Sequence, residues 1–238
     1  MIANVNIKIT ERHPYNELYP VPDDTETLII GTAPPPRFSN PALGGIRDGD
    51  AKFYYGSEDN SLWWDIFDAI NQKLTGKKLF TDQDWEQCHC VGTMRQFLRS
   101  HKIWMRDVLQ AYKRDDPCSA SDSEITRTEF ADFRGQLRAA SSIRKIAFTS
   151  EKAAEWTLEA FEEQGLIAPE ERKEAALKLK AWRDADARGR YQQSCFEASS
   201  GGSGIKFFVL PTPTARSRAG LKIADKVEIY QRVLFSGQ

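Results

Sequence analysis

The sequence of 238 residues has almost no net charge, few cysteines and no long hydrophobic run. Lys and Arg number 33 against 34 Asp and Glu, so the formal net charge is -1. This net charge excludes a polycationic protein that binds nucleic acid over its whole surface. Any nucleic-acid site must therefore be a local basic patch. No run of about eighteen apolar residues occurs, and residues 1–4 lack the basic and apolar regions of a signal peptide. We therefore expect a cytoplasmic protein that does not contact the membrane.

The cysteines are too few and too scattered for a disulfide framework in a chain of this length: Cys88, Cys90, Cys118 and Cys195. We expect reduced thiols. The run Cys88-His89-Cys90 has residue types that bind metals, but tetrahedral sites usually place about two to four residues between paired cysteines and need further converging ligands. The sequence thus predicts neither a metal nor a cofactor.

Strands and helices alternate along the chain. With 40% hydrophobic residues, the chain is long enough to bury one sizeable core, so we expect a single domain over residues 1–238. Short apolar runs predict strands at 27–30, 143–149 and 205–210, with a further short strand near 103–105. The sequence therefore predicts an α/β fold, a three-layer α/β/α sandwich around a central, mostly parallel sheet.

Helical spacing of apolar residues marks the segments between these strands. A helix is expected after Asn60, and others within 80–114 around the short strand. Residues 115–122 are expected to form an exposed loop before a helix that covers Phe130, Phe133 and Leu137. The remaining helices are predicted from Glu151, over 169–191 as a solvated surface helix, and over 221–234. Residues 165–204 are expected to be a helical insertion, which ends in the flexible Gly/Ser loop 199–204.

Two of the strands end abruptly in proline-rich loops, residues 31–36 (GTAPPP) and 211–218 (PTPTARSR). Ligands of open α/β sheets bind at the carboxyl ends of strands, so both loops should face a common cleft. The second loop carries hydroxyl and guanidinium groups that suit phosphate oxygens, which favours DNA or nucleotide binding. Ordinary solubilising arginines are the alternative. The candidate contacts are Thr212, Thr214, Arg216, Ser217, Arg218 and Lys222.

Three segments, in the same order, resemble motifs of the uracil-DNA glycosylase superfamily. Residues 27–34 (TLIIGTAP) resemble its first motif and residues 208–216 (FVLPTPTAR) its second. Residues 54–63 (YYGSEDNSLW) resemble the aromatic-to-Asn-x-x-Trp segment of the thymine, mismatch-uracil and hypoxanthine-DNA glycosylases. The middle of the chain matches in pattern only: residues 103–114 contain Asp107, and residues 146–153 lack the Asn-Gly that often precedes the helix. Three motifs in order are more specific than one.

Two residues depart from the pattern of many family members. Ala33 stands where many have an Asp or Asn that positions water, and Leu210 stands where the uracil-specific branch has a histidine. The absence of both resembles the hypoxanthine-DNA glycosylase branch, in which the asparagine that corresponds to Asn60 is catalytic. The resemblance implies a uracil-DNA glycosylase-like fold and a monofunctional DNA glycosylase, which flips a base out of double-stranded DNA and hydrolyses its N-glycosidic bond.

The resemblance also implies roles for single residues. Arg216 would fill the gap left by the flipped nucleotide, Tyr55 would stack on the base with Tyr54 as its substitute, and Asp107 would read the base. Backbone N–H groups near Thr32 and Ala33 are suited to stabilise the charge on the departing base. The predicted base-binding residues are Thr32, Ala33, Tyr54, Tyr55 and Asp107.

Each role has a structural alternative. Asn60 has the residue type that caps a helix, and the two tyrosines could be core residues. Asp107 could be a surface acid on a helix. Glu58 and Asp59 could orient the water through a carboxylate instead of the Asn60 amide.

The base that is removed is left open by the sequence. The closest branch implies a deaminated base such as hypoxanthine or uracil. A hypermodified cytosine, excised from phage DNA as a defence, is the alternative, because the small Thr32 and Ala33 would leave room for a bulky base. Loss of the polar groups at Ala33 and Leu210 also allows a catalytically inactive DNA-binding module, and a nucleotide-binding α/β protein is a further alternative. We expect a monomer.

Overall fold

The computed structural model describes residues 9–81, 84, 90–184, 198–199, 204–214 and 220–235. The central sheet has the strand order β3-β2-β6-β8-β7. Its first four strands in that order are mutually parallel, and β7 is antiparallel to β8. The strands are β2 (Thr27–Gly31), β3 (Ile103–Asp107), β6 (Lys145–Phe148), β7 (Ala198–Ser199) and β8 (Lys206–Val209). The mostly parallel sheet predicted from the sequence is confirmed.

Strand β2 lies inside this sheet, between β3 and β6, and is buried along its whole length, on both faces. A parallel strand with two buried faces requires helical layers on both sides of the sheet, which explains why its sequence is a continuous apolar run. The chain therefore has the α/β sandwich fold that the sequence predicts.

A second, antiparallel sheet was not expected. It has the order β1-β4-β5, with β1 at Thr10–Arg12, β4 at Leu109–Arg114 and β5 at Ile125–Phe130. The predictions of a helix through 109–114 and of a helix that includes Phe130 are therefore wrong. Nearly every residue of β4 is buried, and a strand buried on both faces shows no two-residue period that distinguishes it from a buried helix.

Helices connect the strands. They are α1 (Pro36–Ser39), α2 (Asp68–Thr75), α3 (Cys90–Ser100), α4 (Phe133–Ala139), α5 (Glu151–Glu163), α6 (Pro169–Asp184) and α7 (Ile223–Phe235). A π-helical segment, Leu62–Phe67, leads directly into α2. Ser150 caps α5, since its hydroxyl accepts the N–H of Ala153 at 3.0 Å. The cap fixes where this helix begins, next to the end of β6.

Helix α6 is the predicted surface helix and packs on α5. Ala175, Leu179 and Trp182 are its buried residues, and Arg172 pairs with Glu162 of α5 at 2.9 Å. Ser199 lies in β7 rather than in a loop. Residues 185–197 and 200–203 of the expected insertion lie outside the described residues, so the insertion stays a prediction. Within the described ranges, no helix is both long and apolar enough to cross a membrane.

Candidate active site

A cavity of about 300 Å³ opens where the parallel strands end. Its lining includes residues from the loops that follow β2, β6 and β8, together with the last residue of β3. Both proline-rich loops thus contribute to one cleft, as the sequence predicts. The predicted site residues that line it are Thr32, Ala33, Tyr55, Asn60, Asp107, Thr212 and Thr214.

Tyr55 lies across the end of β2. Its hydroxyl is 2.6 Å from Oγ1 of Thr149, and its backbone has the left-handed φ of +56°, which few non-glycine residues adopt. A Cβ atom on Gly31 would clash with the Tyr55 hydroxyl and with Oδ1 of Asp107. Glycine is therefore required at the end of β2. Burial raises the pKa of Tyr55 well above its usual value, so the phenol keeps its proton.

Asp107 is the last residue of β3 and is only 5% exposed, so it is not a surface acid on a helix. Its Oδ2 is 2.8 Å from Nε2 of His13. Nδ1 of His13 accepts the backbone N–H groups of Tyr15 and Asn16, each at 3.1 Å. Because Nδ1 is an acceptor, the ring proton lies on Nε2 and is donated to Asp107. One carboxylate oxygen of Asp107 is thus held by His13, while Oδ1 points over Gly31.

His13 and Asn16 are functional neighbours that the sequence analysis missed. Nδ2 of Asn16 donates to the backbone carbonyl of Asp107 at 3.1 Å, and its Oδ1 accepts the Tyr54 hydroxyl, also at 3.1 Å. Both residues precede β2 and belong to no recognisable motif. Only the folded chain brings them to the end of β3.

Tyr54 does not line the cavity. It is 1% exposed, and its ring stacks on His13 with centroids 5.6 Å apart. Burial raises the pKa of its hydroxyl, which remains a donor to Asn16. The structure therefore places Tyr54 in the core, beneath the residues that hold Asp107.

Asn60 caps the helical segment and also lines the cavity. Its Oδ1 accepts the N–H of Leu62 at 2.9 Å, in the manner of a cap. A carbonyl oxygen has two lone pairs, so one remains available for a further donor such as water. The backbone of Asn60 pairs with Thr214, and the neighbouring Ser61 N–H donates to the Pro213 carbonyl at 3.0 Å. These bonds join Asn60 to the loop after β8.

The two acids before Asn60 are held by arginines. Asp59 lines the cavity and contacts Arg37 at 3.3 Å and Arg47 at 3.2 Å. Glu58 pairs with Arg47 at 2.9 Å and is not part of the lining. Arg37 is itself fixed by two hydrogen bonds to Asp50, at 2.7 and 2.8 Å. The arginines compete with water for the carboxylate of Asp59. Asp59 is therefore less suited to orient the water than the Asn60 amide.

Asp122 is a cavity residue that the sequence did not mark. It was expected in an exposed loop, but it is half-buried and lines the wall beside Thr32. Burial raises its pKa, and the charge of Asp107 adds to this effect, while a hydrogen bond from Thr32 opposes it. The expectation of an exposed loop fails at Asp122 because the connection between β4 and β5 folds back over the strand ends.

Arg114 holds this connection in place. Its side chain is 1% exposed and donates to the Ser119 carbonyl at 2.9 Å and to the Pro34 carbonyl at 2.7 Å. One guanidinium group therefore ties the β4–β5 connection to the loop after β2. Two walls of the cavity are fixed relative to each other by this residue.

Helix α7 holds the loop after β8. Nζ of Lys226 donates to the carbonyls of Thr212 at 3.0 Å and Thr214 at 2.5 Å, and the Tyr230 hydroxyl donates to the Pro211 carbonyl at 2.8 Å. Lys226 is fully buried, and burial lowers the pKa of its ammonium group. The sequence showed these residues only as members of an amphipathic helix.

Part of the predicted DNA contact lies outside the described residues: Arg216, Ser217 and Arg218. Lys222 is exposed just before α7. Cys88, His89 and Cys195 also lie outside the described residues. Among the residues that are described, no group of three or more His, Cys, Asp or Glu side chains is arranged to hold a metal ion.

The chain was compared with known proteins. No family model matches it, and no curated protein matches it. It is similar to a solution NMR structure described as "a putative Uracil DNA glycosylase from Methanosarcina acetivorans". The sequence identity is 23%, the match covers 66% of this chain and 80% of that chain, and the TM-score is 0.41.

Proposed function

We propose that the protein is a monofunctional DNA glycosylase that flips a damaged or modified base out of double-stranded DNA and hydrolyses its N-glycosidic bond. One observation carries the proposal. A single cavity at the carboxyl ends of the central strands is lined by Asn60, Tyr55 and Asp107. The motif resemblance assigns the hydrolysis to Asn60, the stacking on the base to Tyr55 and the reading of the base to Asp107. A nucleobase inside a duplex cannot reach such a cavity, so the nucleotide must leave the stack.

In the proposed reaction the bond between C1′ and the base breaks ahead of water attack, through an oxocarbenium-like state. Asn60 holds the water with the lone pair of Oδ1 that Leu62 does not use. A neutral amide suffices to position this water, because a late attack needs little base strength. The water oxygen bonds to C1′ and its proton is released to solvent, while the electron pair of the broken bond remains on the base, which then takes up a proton from solvent.

The departing base carries negative charge, and the cavity offers a partner for it. Ser150, the cap of α5, lines the cavity, so the positive end of the dipole of this helix lies at the site. Backbone dipoles that are already oriented stabilise developing charge without reorganisation. Tyr55 supplies the aromatic side chain on which the base stacks.

For the DNA contacts we propose Thr212 and Thr214 at the cavity, with Arg216, Ser217 and Arg218 further along the same loop. Uracil and hypoxanthine are the first substrates to test. A hypermodified cytosine in phage DNA is the second, favoured by the small Thr32 and Ala33 in the cavity lining. The cytoplasmic location and the monomeric state stay predictions.

The test uses duplexes that carry uracil, hypoxanthine, mismatched thymine or modified cytosine, treated with alkali after incubation to cleave abasic sites. We expect the wild type to cleave at least one of them and Asn60→Ala to lose cleavage by roughly a hundredfold or more. Cleavage that persists undiminished in Asn60→Ala contradicts the catalytic role. A protein that shifts duplex DNA but leaves every strand whole is a binding module rather than a glycosylase.

A matched variant separates catalysis from capping. Asn60→Ala also removes the acceptor of the Leu62 N–H, which costs about 1 kcal/mol of stability. Asn60→Ser keeps a capping oxygen, so its unfolding temperature should stay near that of the wild type. If Asn60→Ser is stable and inactive, the loss of cleavage is caused by the missing amide and not by a destabilised helix.

A further inference from the structure

A pocket of about 390 Å³ lies at the opposite end of β6 and β8 from the candidate active site. Its floor is apolar and is built by side chains of α4, α5 and the segments that lead into the two strands, among them Leu137, Phe161, Ile143 and Ile205. A ligand that fills this pocket must bring an apolar group, because burial of apolar surface against such a floor is what stabilises the contact.

Three arginines surround the floor: Arg134, Arg138 and Arg144. All three are exposed, and no acid among the described residues forms an ion pair with them. Of the described residues that line the pocket, none is acidic. Elsewhere acids do pair with such groups, as Glu162 does with Arg172 of α6 at 2.9 Å. The rim of the pocket therefore carries a positive charge that its surroundings do not neutralise, in a chain whose net charge is -1.

Hydrogen bonds hold the rim in shape. The side-chain oxygen of Gln164, which follows α5, accepts the N–H groups of Phe133 and Arg134 at 2.8 and 3.1 Å. These bonds fix the start of α4 against the end of α5. Nη1 of Arg144 donates to the Ser141 carbonyl at 2.6 Å, so this guanidinium is already anchored. A ligand that binds here has little to order in the protein, which lowers the cost of binding.

The floor and the rim together indicate the chemistry of the ligand. Guanidinium groups form strong, paired hydrogen bonds with carboxylates as well as with phosphates. A nucleobase on this floor would leave polar edge atoms without partners, since Ser141 is the only polar side chain besides the arginines among the described lining residues. An apolar amino-acid side chain has no such atoms. The pocket therefore suits an acidic peptide better than a nucleic acid.

We propose that this docking pocket binds an acidic peptide segment of a partner protein, with one large apolar side chain on the floor and carboxylates on the three arginines. The inference goes beyond the proposed function and does not depend on it. The docking pocket lies at the amino ends of β6 and β8, and the candidate active site lies at their carboxyl ends. A docked partner thus leaves the candidate active site open.

The probe for the experiment is a fluorescently labelled peptide, blocked at both ends, in which aspartates flank one phenylalanine on both sides. Fluorescence anisotropy measures its binding to the full chain. Two matched peptides replace either the aspartates by asparagines or the phenylalanine by alanine. We expect each of these to bind about tenfold or more weakly than the probe, because the first lacks the charges and the second lacks the apolar group.

Variants of the protein test the rim and the floor separately. Arg134→Gln combined with Arg138→Gln removes two charges of the rim and should weaken binding of the probe about tenfold or more. Leu137→Ala removes part of the floor and should narrow the difference between the probe and the alanine peptide. The control is Arg99→Gln, an exposed position on α3, which should bind the probe as the wild type does. Thermal unfolding checks that each variant is folded.

Several results would overturn the proposal. They are the absence of binding by the wild type, equal binding of the probe and the asparagine peptide, and an unchanged affinity in the double arginine variant. An oligothymidylate that binds more tightly than the probe, and less tightly to the double variant, identifies a nucleic-acid surface instead. If the wild type self-associates in sedimentation and the double variant does not, the occupant is a second copy of the chain. None of these results depends on DNA cleavage, so the proposed function is tested separately.

Discussion

Single residues at the cavity differ in how far the sequence revealed them. Tyr55 and Asn60 lie in a segment whose residues resemble a known motif, and the cavity brings them together. His13 and Asp122 have no such neighbours in sequence. His13 bonds to Asp107, and Asp122 lines the cavity together with Thr32; such contacts between residues far apart in the chain leave no local pattern. The part of the site that could be predicted is the part that lies in continuous motifs.

The raised pKa of Asp122 makes a prediction about stability. The folded state holds this proton more tightly than the unfolded chain, so ionisation of Asp122 destabilises the fold once the pH exceeds its folded pKa. The neighbouring charges act in both directions: Asp107 raises the pKa, whereas Arg114 and Lys152 lower it. Asp122→Asn removes the ionisation and should raise the free energy of unfolding at pH 7.

This gain should shrink as the pH falls and vanish below the usual carboxyl pKa of 3.8, where Asp122 is protonated in both states. Urea unfolding at a series of pH values measures it. Asp116→Asn, at an exposed position, should show no comparable gain. A gain that is independent of pH would contradict the assignment.

At the scale of elements, the cavity lies at the ends of the strands, and other elements hold its walls in place. The loop after β2 and the β4–β5 connection are joined by Arg114, and the loop after β8 is held by α7. The sequence predicted the parallel strands because a buried parallel strand is a short continuous apolar run. It did not predict β4 and β5, since their pairing is decided by contacts along the hairpin and with β1.

Lys226→Met tests the connection between α7 and the loop after β8. The methionine fills similar space but removes the ammonium group that donates to the Thr212 and Thr214 carbonyls. The Thr212 carbonyl still accepts the Thr214 N–H at 2.9 Å, so we expect a loss of about 1–3 kcal/mol in total. We expect faster hydrogen exchange at the Ser61 N–H, which donates to Pro213 of this loop, and weaker cleavage of DNA.

The control is Lys222→Met, which removes an exposed lysine just before the same helix. Its exchange at Ser61 should match that of the wild type. If Lys226→Met leaves this exchange unchanged, the lysine does not hold the loop.

At the scale of the whole molecule, charge decides how DNA is approached. The net charge of -1 gives little long-range attraction to a polyanion, so the proposed binding to DNA should depend on the predicted patch around Arg216 and Arg218. Selectivity must then come from the cavity, since phosphate contacts carry no information about the base.

Binding to DNA should therefore weaken with salt. The logarithm of the binding constant should fall linearly with the logarithm of salt concentration, with a slope of about −0.9 for each neutralised phosphate. Arg216→Gln should reduce the slope by about one contact, whereas Lys178→Gln on α6 should not change it. Titrations followed by fluorescence anisotropy measure both, and an equal slope in Arg216→Gln would contradict the placement of the patch.

The sequence by itself determined the parallel sheet and the position of the cleft, because the carboxyl ends of parallel strands meet at one edge and the residues after them must face it. It also determined the candidate residues that lie within continuous motifs. Only the tertiary structure decided which other side chains enter the cleft, such as Asp122 and Thr149, and which hold it, such as His13, Arg114 and Lys226. These contacts join residues far apart in the chain, and their hydrogen bonds depend on packing rather than on any local period of the sequence.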